Sequence, residues 1–316
     1  MTNNLGSDTT ADEAASFYAN EIKGKIVLIT GCTWGGLGAE AARAIAKHDP
    51  KLLILAGRKQ EALDDTIQKI KEESPEANLR TLIIDLASLE SVKKAAAEVN
   101  QYSEPIDVLI NNAAIMASPY HTTKDGFEGQ IGTNHLGPFV FTNSILSRVL
   151  ASSSPRIVNV SSEGHGLTPI RFDDLQFKKG ETYAKWIAYG QSKTANIMFA
   201  RELAKRYGNK GLVAFSLHPG VIQTNLARDV QISEFQEPIY DAFGNTLDFS
   251  TVKWKTLPQG AATHIVAAFD LSIKDKSGAY LDDCQVANDH LRPHAKNNGD
   301  DEKLWALSEE LVGQKF

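Results

Sequence analysis

The sequence has few cysteines, no long hydrophobic run and no basic cluster, and each absence excludes a class of protein. Among its 316 residues only Cys32 and Cys284 are cysteines, too few for a disulfide framework or a cysteine-based metal site. No apolar run approaches the length of about 20 residues that a transmembrane helix needs, and the N-terminus lacks a charged-then-apolar secretion signal. Lysine and arginine total 33 against 39 acidic residues, which argues against nucleic acid as a partner. We therefore expect a cytoplasmic protein without a membrane span, and the spacing of its histidines does not predict a metal site.

Short apolar runs alternate with longer helical patterns along most of the chain. Strands are predicted at residues 26–29, 52–56, 79–84, 106–110, 156–160, 212–217 and 279–281. Helices are predicted at residues 59–73, 88–100, 125–150, 183–207 and 258–271, with a short one at 11–20 inside a polar leader of residues 1–24. This alternation is typical of a parallel sheet with helices on both faces. The sequence predicts an α/β fold with a doubly wound, mostly parallel sheet, formed by one domain over residues 25–316.

The first predicted strand leads into a glycine-rich turn that precedes an alanine-rich helix. Gly31, Gly35, Gly36 and Gly38 lie in this turn. Glycine permits a tight turn and lets backbone N–H groups approach a pyrophosphate, whose charge the helix N-terminus favours. The pattern predicts the dinucleotide site of a Rossmann fold, although an ordinary strand–helix turn can also be rich in glycine.

The end of the second predicted strand indicates which dinucleotide is bound. An acidic residue about twenty positions beyond the glycines would bind the ribose 2′-hydroxyl of NAD. Arg58 occupies this position instead. A guanidinium can bind a 2′-phosphate through two parallel hydrogen bonds. NADP(H) is therefore predicted over NAD(H); the alternative is that Arg58 only opens the next helix and faces water.

Two further pairs of residues carry candidate chemistry. Tyr189 and Lys193 are four residues apart in a predicted helix, so they share a face. Tyrosine has a reference pKa of about 10, and a nearby cation lowers that pKa into the range of general acid–base catalysis. Ser161 and Ser162 end the fifth predicted strand, where ligands bind in open α/β sheets. A hydroxyl there can hydrogen-bond to a substrate carbonyl.

A long connection over residues 222–257 interrupts the alternation. Its large hydrophobic residues include Phe235, Ile239, Tyr240, Phe243 and Trp254. Long connections in compact domains are often lids, and the aromatic content predicts a flap over an apolar ligand, with a surface insertion as the alternative.

Taken together, these motifs resemble the short-chain dehydrogenase/reductase family from about residue 24 to residue 280. The matching elements are Thr30-Gly31 with Gly36-Leu37-Gly38, Asp85, Asn111-Asn112-Ala113, Asn134, Ser162, Tyr189 with Lys193, and Pro219-Gly220. Residues 133–137 and 156–162 further resemble the retinol dehydrogenase and WW-domain oxidoreductase branch, including its fungal relatives. The resemblance implies hydride transfer between NADP(H) and a ketone or aldehyde, or the matching alcohol, and the aromatic connection predicts a lipophilic or aromatic substrate. The alternative is a non-catalytic NADP-binding regulatory or scaffold protein, and a homodimer is left open.

The resemblance also implies a role for each site residue. Tyr189 would exchange a proton with the substrate oxygen, and Ser162 would orient that oxygen. Lys193 would lower the pKa of the tyrosine and hold the nicotinamide ribose, while Asn134 would position a water linking Lys193 to solvent. The implied cofactor contacts are Gly31, Thr33, Trp34, Gly36, Leu37, Gly38, Arg58, Asp85, Leu86, Asn112, Ala113, Tyr189, Lys193, Pro219, Gly220, Val221 and Thr224. The turn departs from the family pattern, because it is one residue longer and contains the bulky Trp34.

Overall fold

A twisted sheet forms the centre of the protein, which is described here from a computed structural model covering residues 5–226, 239–247, 253–296 and 299–316. The strands are β1 (Ile26–Thr30), β2 (Leu52–Gly57), β3 (Leu79–Ile83), β4 (Val108–Asn111), β5 (Arg156–Val160), β6 (Val213–Leu217), β7 (Val221–Ile222), β8 (Ile239–Tyr240), β9 (Thr246–Leu247), β10 (Trp254–Lys255), β11 (Tyr280–Asp282) and β12 (Gln285–Val286). The main sheet has the order β3-β2-β1-β4-β5-β6-β11-β12. Its neighbours are parallel except for the β11–β12 pair. The predicted doubly wound α/β fold is confirmed.

Helices cover both faces of the sheet and create two hydrophobic cores. The helices are α1 (Ala11–Phe17), α2 (Ala19–Ile22), α3 (Leu37–Ala46), α4 (Gln60–Glu73), α5 (Leu89–Asn100), α6 (Gly129–Ile131), α7 (Gly137–Ser144), α8 (Leu146–Leu150), α9 (Lys185–Tyr207), α10 (Leu257–Phe269) and α11 (Asp300–Val312). Val27 and Ile29 pack into the core with α1, α3, α4 and α10. Ile26 and Leu28 pack into the core with α5, α7, α9 and α11. Alternate residues of β1 thus point to opposite faces of the sheet. Because both faces are buried, the sequence of β1 is apolar without interruption.

The predicted helix over residues 125–150 is the element that differs most from expectation. It begins only at Gly129, because the Glu128 carboxylate accepts hydrogen bonds from the N–H groups of Gln130 and Ile131 and so caps the start. Residues Gly132–Leu136 then form a π-helix between α6 and α7. A break at Ile145 separates α7 from α8. The prediction of one continuous helix was therefore wrong. The glycines of this segment, Gly129, Gly132 and Gly137, indicate a backbone irregularity, and such an irregularity is present.

Two terminal segments pack against the sheet's helices. Thr10 and Glu13 form a reciprocal cap at α1, and α1 contacts α10 and α3. Residues Ala11, Ala14 and Ala15 are fully buried there, so this part of the predicted leader adds to the core. Helix α11, which the strand–helix alternation does not predict, packs along α9. Within the described ranges, no helix is both long and apolar enough to cross a membrane.

Candidate active site

A cavity of about 1030 Å³ lies where the segments following β1–β6 converge. Ligands bind at this edge of open α/β sheets, beyond the carboxyl ends of the strands. The sequence-predicted residues that line it are Gly31, Thr33, Gly36, Leu37, Arg58, Asp85, Leu86, Asn112, Ala113, Ser162, Tyr189, Lys193, Pro219, Gly220, Val221 and Thr224. Residues from seven separate segments of the chain are thus brought to one site.

Hydrogen bonds between side chains and backbone groups hold the glycine turn against the loop after β4. The Thr30 hydroxyl accepts hydrogen bonds from the N–H groups of Asn112 and Ala113, both at 3.0 Å. The Asn112 amide donates to the Thr30 carbonyl at 2.8 Å. Gly31 has a φ of +77°, and a Cβ at this position would lie 2.9 Å from the Ala113 Cα. Glycine is therefore required where these two loops meet.

Two predicted cofactor contacts, Trp34 and Gly38, lie outside the described cavity lining. The Trp34 ring is partly buried against the core next to α3, with the Lys69 ammonium 5.3 Å from its centroid. The bulky side chain of the turn therefore packs against the core. Gly38 instead permits close packing, since a Cβ would lie 2.6 Å from the Asn112 Nδ2 atom.

Ser162, Tyr189 and Lys193 meet at the centre of the cavity wall. Tyr189 and Lys193 lie one turn apart on α9, and the Lys193 ammonium nitrogen is 5.5 Å from the Tyr189 ring centroid. Lys193 donates a hydrogen bond to the Val160 carbonyl at 3.1 Å. The Ser162 hydroxyl accepts one from the Gly164 N–H at 3.1 Å, and Ser161 donates to the Lys193 carbonyl. The end of β5 is therefore anchored to α9 beside the reactive side chains.

Burial controls the ionisation of this group. Desolvation raises the pKa of Tyr189 to about 12, and the Ser162 hydroxyl opposes that rise. Desolvation lowers the pKa of Lys193 to about 7. In the protein alone, burial and not the neighbouring lysine therefore dominates the pKa of the tyrosine, contrary to the sequence-based expectation. A neutral phenol at this position is a proton donor.

Asn134 and Asn111 lie one layer behind the cavity wall. The Asn134 carbonyl oxygen accepts from the Ile115 N–H at 2.8 Å, and its amide donates to the Ile115 carbonyl and the Ser192 hydroxyl, each at 2.9 Å. It thereby links the π-helix, the loop after β4 and α9. The buried Asn111 amide instead donates to Thr142 and Asn159 inside the fold.

The cavity also contains residues that the motifs did not single out. They include Ile115, Met116, Glu163, Leu167 and Trp186. Trp186 is three residues before Tyr189 on α9, so helical spacing could have identified it. No comparable signal marks the loop residues, because their position depends on tertiary packing.

The predicted flap is only partly in contact with the cavity. Trp254 lines the cavity and lies on β10, which pairs with β7 beside it. Tyr240 and Phe243 are 59% and 65% exposed and are absent from the described lining. Phe235 lies outside the described residues.

The chain is similar in sequence to short-chain dehydrogenases and retinol dehydrogenases, and it is similar in fold to a solved structure. The family model described as short chain dehydrogenase matches residues 25–172. Human retinol dehydrogenase 12 is 34% identical over 296 residues, covering 94% of this chain and 89% of that protein. The short-chain dehydrogenase/reductase prx1 of Penicillium roqueforti is 37% identical over 306 residues, covering 93% and 86%. A solved structure of a Mycobacterium paratuberculosis protein shares 33% identity with a TM-score of 0.71, covering 93% of this chain and 96% of that one.

Proposed function

Because the chain belongs to the short-chain dehydrogenase/reductase family, in its retinol dehydrogenase-like branch, we propose that it transfers a hydride between NADP(H) and a carbonyl compound or the matching alcohol. Family membership identifies an oxidoreductase that acts on C=O and CH–OH groups with a nicotinamide cofactor. The observation that carries the proposal is the position of Ser162, Tyr189 and Lys193 in the same cavity as the glycine turn.

The cavity suits a dinucleotide, which supplies or accepts the hydride when bound. Gly36 is the N-cap of α3 and makes no side-chain hydrogen bond there, so N–H groups of the first helical turn are left for a phosphate. Gly36 and Leu37 line the cavity at this end. A pyrophosphate at the α3 N-terminus would direct the remainder of the cofactor along the strand ends.

Arg58 supports NADP(H) as the preferred cofactor. It lines the cavity directly after β2, and none of the described residues forms an ion pair with it. Its guanidinium can therefore bind a 2′-phosphate. A carboxylate, which would select the 2′-hydroxyl of NAD, is absent from this position of the sequence.

The chemistry assigned to the side chains follows from their protonation. In the direction of reduction, the neutral Tyr189 phenol donates its proton to the substrate oxygen as negative charge develops there. The Ser162 hydroxyl hydrogen-bonds to the same oxygen and stabilises that charge. Lys193 would hold the nicotinamide ribose, and Asn134, which positions the loop around Ile115, would also position a water that connects Lys193 to solvent. The reverse reaction uses the same groups with Tyr189 as base.

The cavity wall favours a lipophilic or aromatic substrate. Met116, Leu167, Trp186 and Trp254 contribute apolar surface to it. Burial of apolar substrate area against such residues is worth about 25 cal/mol per Å². A hydrophilic sugar would lose hydration without this compensation.

A substrate panel tests the proposal. Consumption of NADPH and of NADH is measured with acetophenone, decanal, all-trans-retinal and glyceraldehyde. We expect turnover of at least one lipophilic carbonyl with NADPH, slower turnover with NADH, and none of glyceraldehyde. Tight NADPH binding without turnover of any carbonyl or alcohol would instead favour the non-catalytic alternative.

A further inference from the structure

Glu163 follows the proposed catalytic serine and brings a carboxylate to the cavity wall. It begins a 3₁₀ turn over residues Glu163–Leu167 and lines the cavity with Gly164 and Leu167. Its N–H donates to the His218 Nδ1 atom at 3.2 Å, while the His165 Nδ1 atom hydrogen-bonds with the Ser162 carbonyl at 2.8 Å. These two hydrogen bonds hold residues 162–165 in place. The backbone position from which the Glu163 side chain extends is therefore fixed relative to Ser162.

The Glu163 carboxylate lacks a hydrogen-bond donor among the described residues. Its nearest cationic partner is Arg292, whose Nη2 atom lies 3.8 Å from the Glu163 Oε1 atom, and the two side chains are 31% and 49% exposed for Glu163 and Arg292, respectively. Burial raises the pKa of Glu163, and the charge of Arg292 opposes that rise. A partly desolvated carboxylate without a donor is unfavourable, so a donor on a ligand in this cavity would stabilise it.

Glu163 could have a purely structural role, in which it holds the segment around Arg292. Other groups already make that connection. The Arg292 N–H contacts the His165 Nε2 atom at 3.5 Å. The His294 Nε2 atom hydrogen-bonds with the His165 carbonyl at 2.8 Å. These contacts join the same two segments without the Glu163 side chain, and an exposed pair at 3.8 Å adds little to them.

The cavity lining also includes apolar and aromatic residues, with Leu167 and Trp186 as examples. The Glu163 carboxylate on this wall can distinguish ligands by the polar group that they carry. A partly buried carboxylate stabilises a ligand with a hydrogen-bond donor at that position and destabilises one with a negative charge.

We propose that Glu163 determines substrate specificity, by accepting a hydrogen bond from a hydroxyl or ammonium group on the body of the carbonyl substrate and by repelling a carboxylate at that position. The inference rests on the proposed function and narrows its substrate class. The preferred substrates are apolar carbonyl compounds that carry one hydrogen-bond donor away from the reacting carbon.

Matched benzaldehydes test this specificity. The meta and para isomers of (hydroxymethyl)benzaldehyde provide a neutral donor, and the (dimethylaminomethyl)benzaldehydes provide a cationic one. The (methoxymethyl)benzaldehydes have similar size without the donor, and the carboxybenzaldehydes carry the repelled charge. Values of kcat and KM are measured for the wild type, Glu163→Leu and Arg292→Gln. Binding of each compound to the NADPH-loaded protein is followed separately in the Tyr189→Phe background, where NADPH is not consumed, by quenching of NADPH fluorescence.

We expect the wild type to prefer the better donor isomer over its methoxymethyl partner by about ten- to a hundredfold in kcat/KM, mainly through KM. In Glu163→Leu, which has no side-chain acceptor, this preference falls to within about threefold, and the carboxybenzaldehydes improve. Arg292→Gln keeps the preference. Selectivity for the hydroxyl over the ammonium, or the reverse, identifies which donor is used.

Three results would overturn the proposal: no donor preference in the wild type, a preference retained in Glu163→Leu, or the same loss in Arg292→Gln as in Glu163→Leu. The binding measurement separates this inference from the proposed function. Donor-dependent binding that Glu163→Leu removes supports the inference even if no aldehyde is reduced, whereas turnover without donor dependence supports only the proposed function.

Discussion

At the residue scale, burial shifts the pKa of each of the two central side chains of the site, Tyr189 and Lys193, in the direction that favours its neutral form. Tyr189 is only 4% exposed and Lys193 only 2% exposed. Burial disfavours the charged form of either group. In the proposed direction of reduction this is useful, since Tyr189 would have to carry the proton that it transfers. It also means that the fold bears the energetic cost of placing a lysine in its interior.

The free-energy cost of burying Lys193 predicts a pH-dependent difference in stability between the cofactor-free wild type and Lys193→Met. The pKa of Lys193 falls from 10.5 to about 7 on folding, so between these pH values the unfolded chain binds more protons and wild-type stability rises with pH. Below about pH 7 the full cost is present, and above about pH 10.5 it vanishes. We expect Lys193→Met to be more stable than the wild type by a few kcal/mol at about pH 6, with the gap closing towards about pH 10.

Guanidinium denaturation across this pH range measures the gap. The Val160 carbonyl keeps a donor in the variant, because Asn196 also donates to it at 3.1 Å. Lys94→Met on α5 changes an exposed lysine and should show no such trend. A gap that is constant with pH would contradict the neutral, buried lysine.

Arg58 provides a second prediction at this scale. Arg58→Asp removes the cation and introduces a charge that repels a 2′-phosphate. The KM for NADPH should rise about ten- to a hundredfold, equivalent to about 1.4–2.8 kcal/mol, while the KM for NADH stays equal or falls. The neighbouring Lys59→Asp is the matched control and should change the ratio of the two KM values much less. An unchanged KM for NADPH in Arg58→Asp would refute the assignment.

At the scale of elements, the π-helix between α6 and α7 shows how a local irregularity serves the site. Gly132–Leu136 form this segment, and it directs Asn134 at the backbone of Ile115 and at Ser192. The sequence contained a signal for the irregularity in Gly129, Gly132 and Gly137. The partner of Asn134 could not be predicted, since it lies nineteen residues away across a loop without periodicity.

Substitution of Asn134 therefore carries a stability prediction. Asn134→Ala leaves the N–H and carbonyl of Ile115 without their partners, and we expect it to lower the free energy of unfolding by about 2–4 kcal/mol. Asn143→Ala is a matched control in α7, because that amide makes only one described hydrogen bond, to the Phe139 carbonyl at 2.9 Å. It should lose about 1 kcal/mol. Chemical denaturation compares the two, and an equal loss would show that Asn134 has no special structural role.

At the scale of the whole molecule, the sequence predicts what depends on periodicity and misses what depends on distant contacts. The apolar strands and the first βαβ unit follow from local pattern, as residues 156–160 illustrate by matching β5. Trp34 was assigned to the cofactor from its position in the turn, but the core beside α3 and Lys69 determine where its ring lies. Helix α11 was not predicted, although its acidic first turn is a helix-start signal, because it lies beyond the strand–helix alternation and is held by contacts with α9, about a hundred residues earlier.

The contact of α11 with α9 predicts a large stability effect at one ion pair. Arg201 on α9 makes two hydrogen bonds to the Asp301 carboxylate, at 2.8 and 2.7 Å, and both side chains are largely buried. Asp301→Ala leaves the guanidinium without its partner and should cost about 3–5 kcal/mol. Glu302→Ala removes the exposed neighbouring pair with Lys205 and should cost at most about 1 kcal/mol. Thermal denaturation distinguishes the two, and similar losses would show that the buried pair does not hold α11 in place.

The most direct test of the account as a whole is the rate of carbonyl reduction by Tyr189→Phe, measured together with NADPH binding. The substitution removes one hydroxyl and keeps the ring against α9, so we predict that kcat falls by about a thousandfold or more while the Kd for NADPH changes less than about threefold. Retention of most of the wild-type rate would contradict the assignment of Tyr189 as the proton donor, and with it the proposed chemistry of the site.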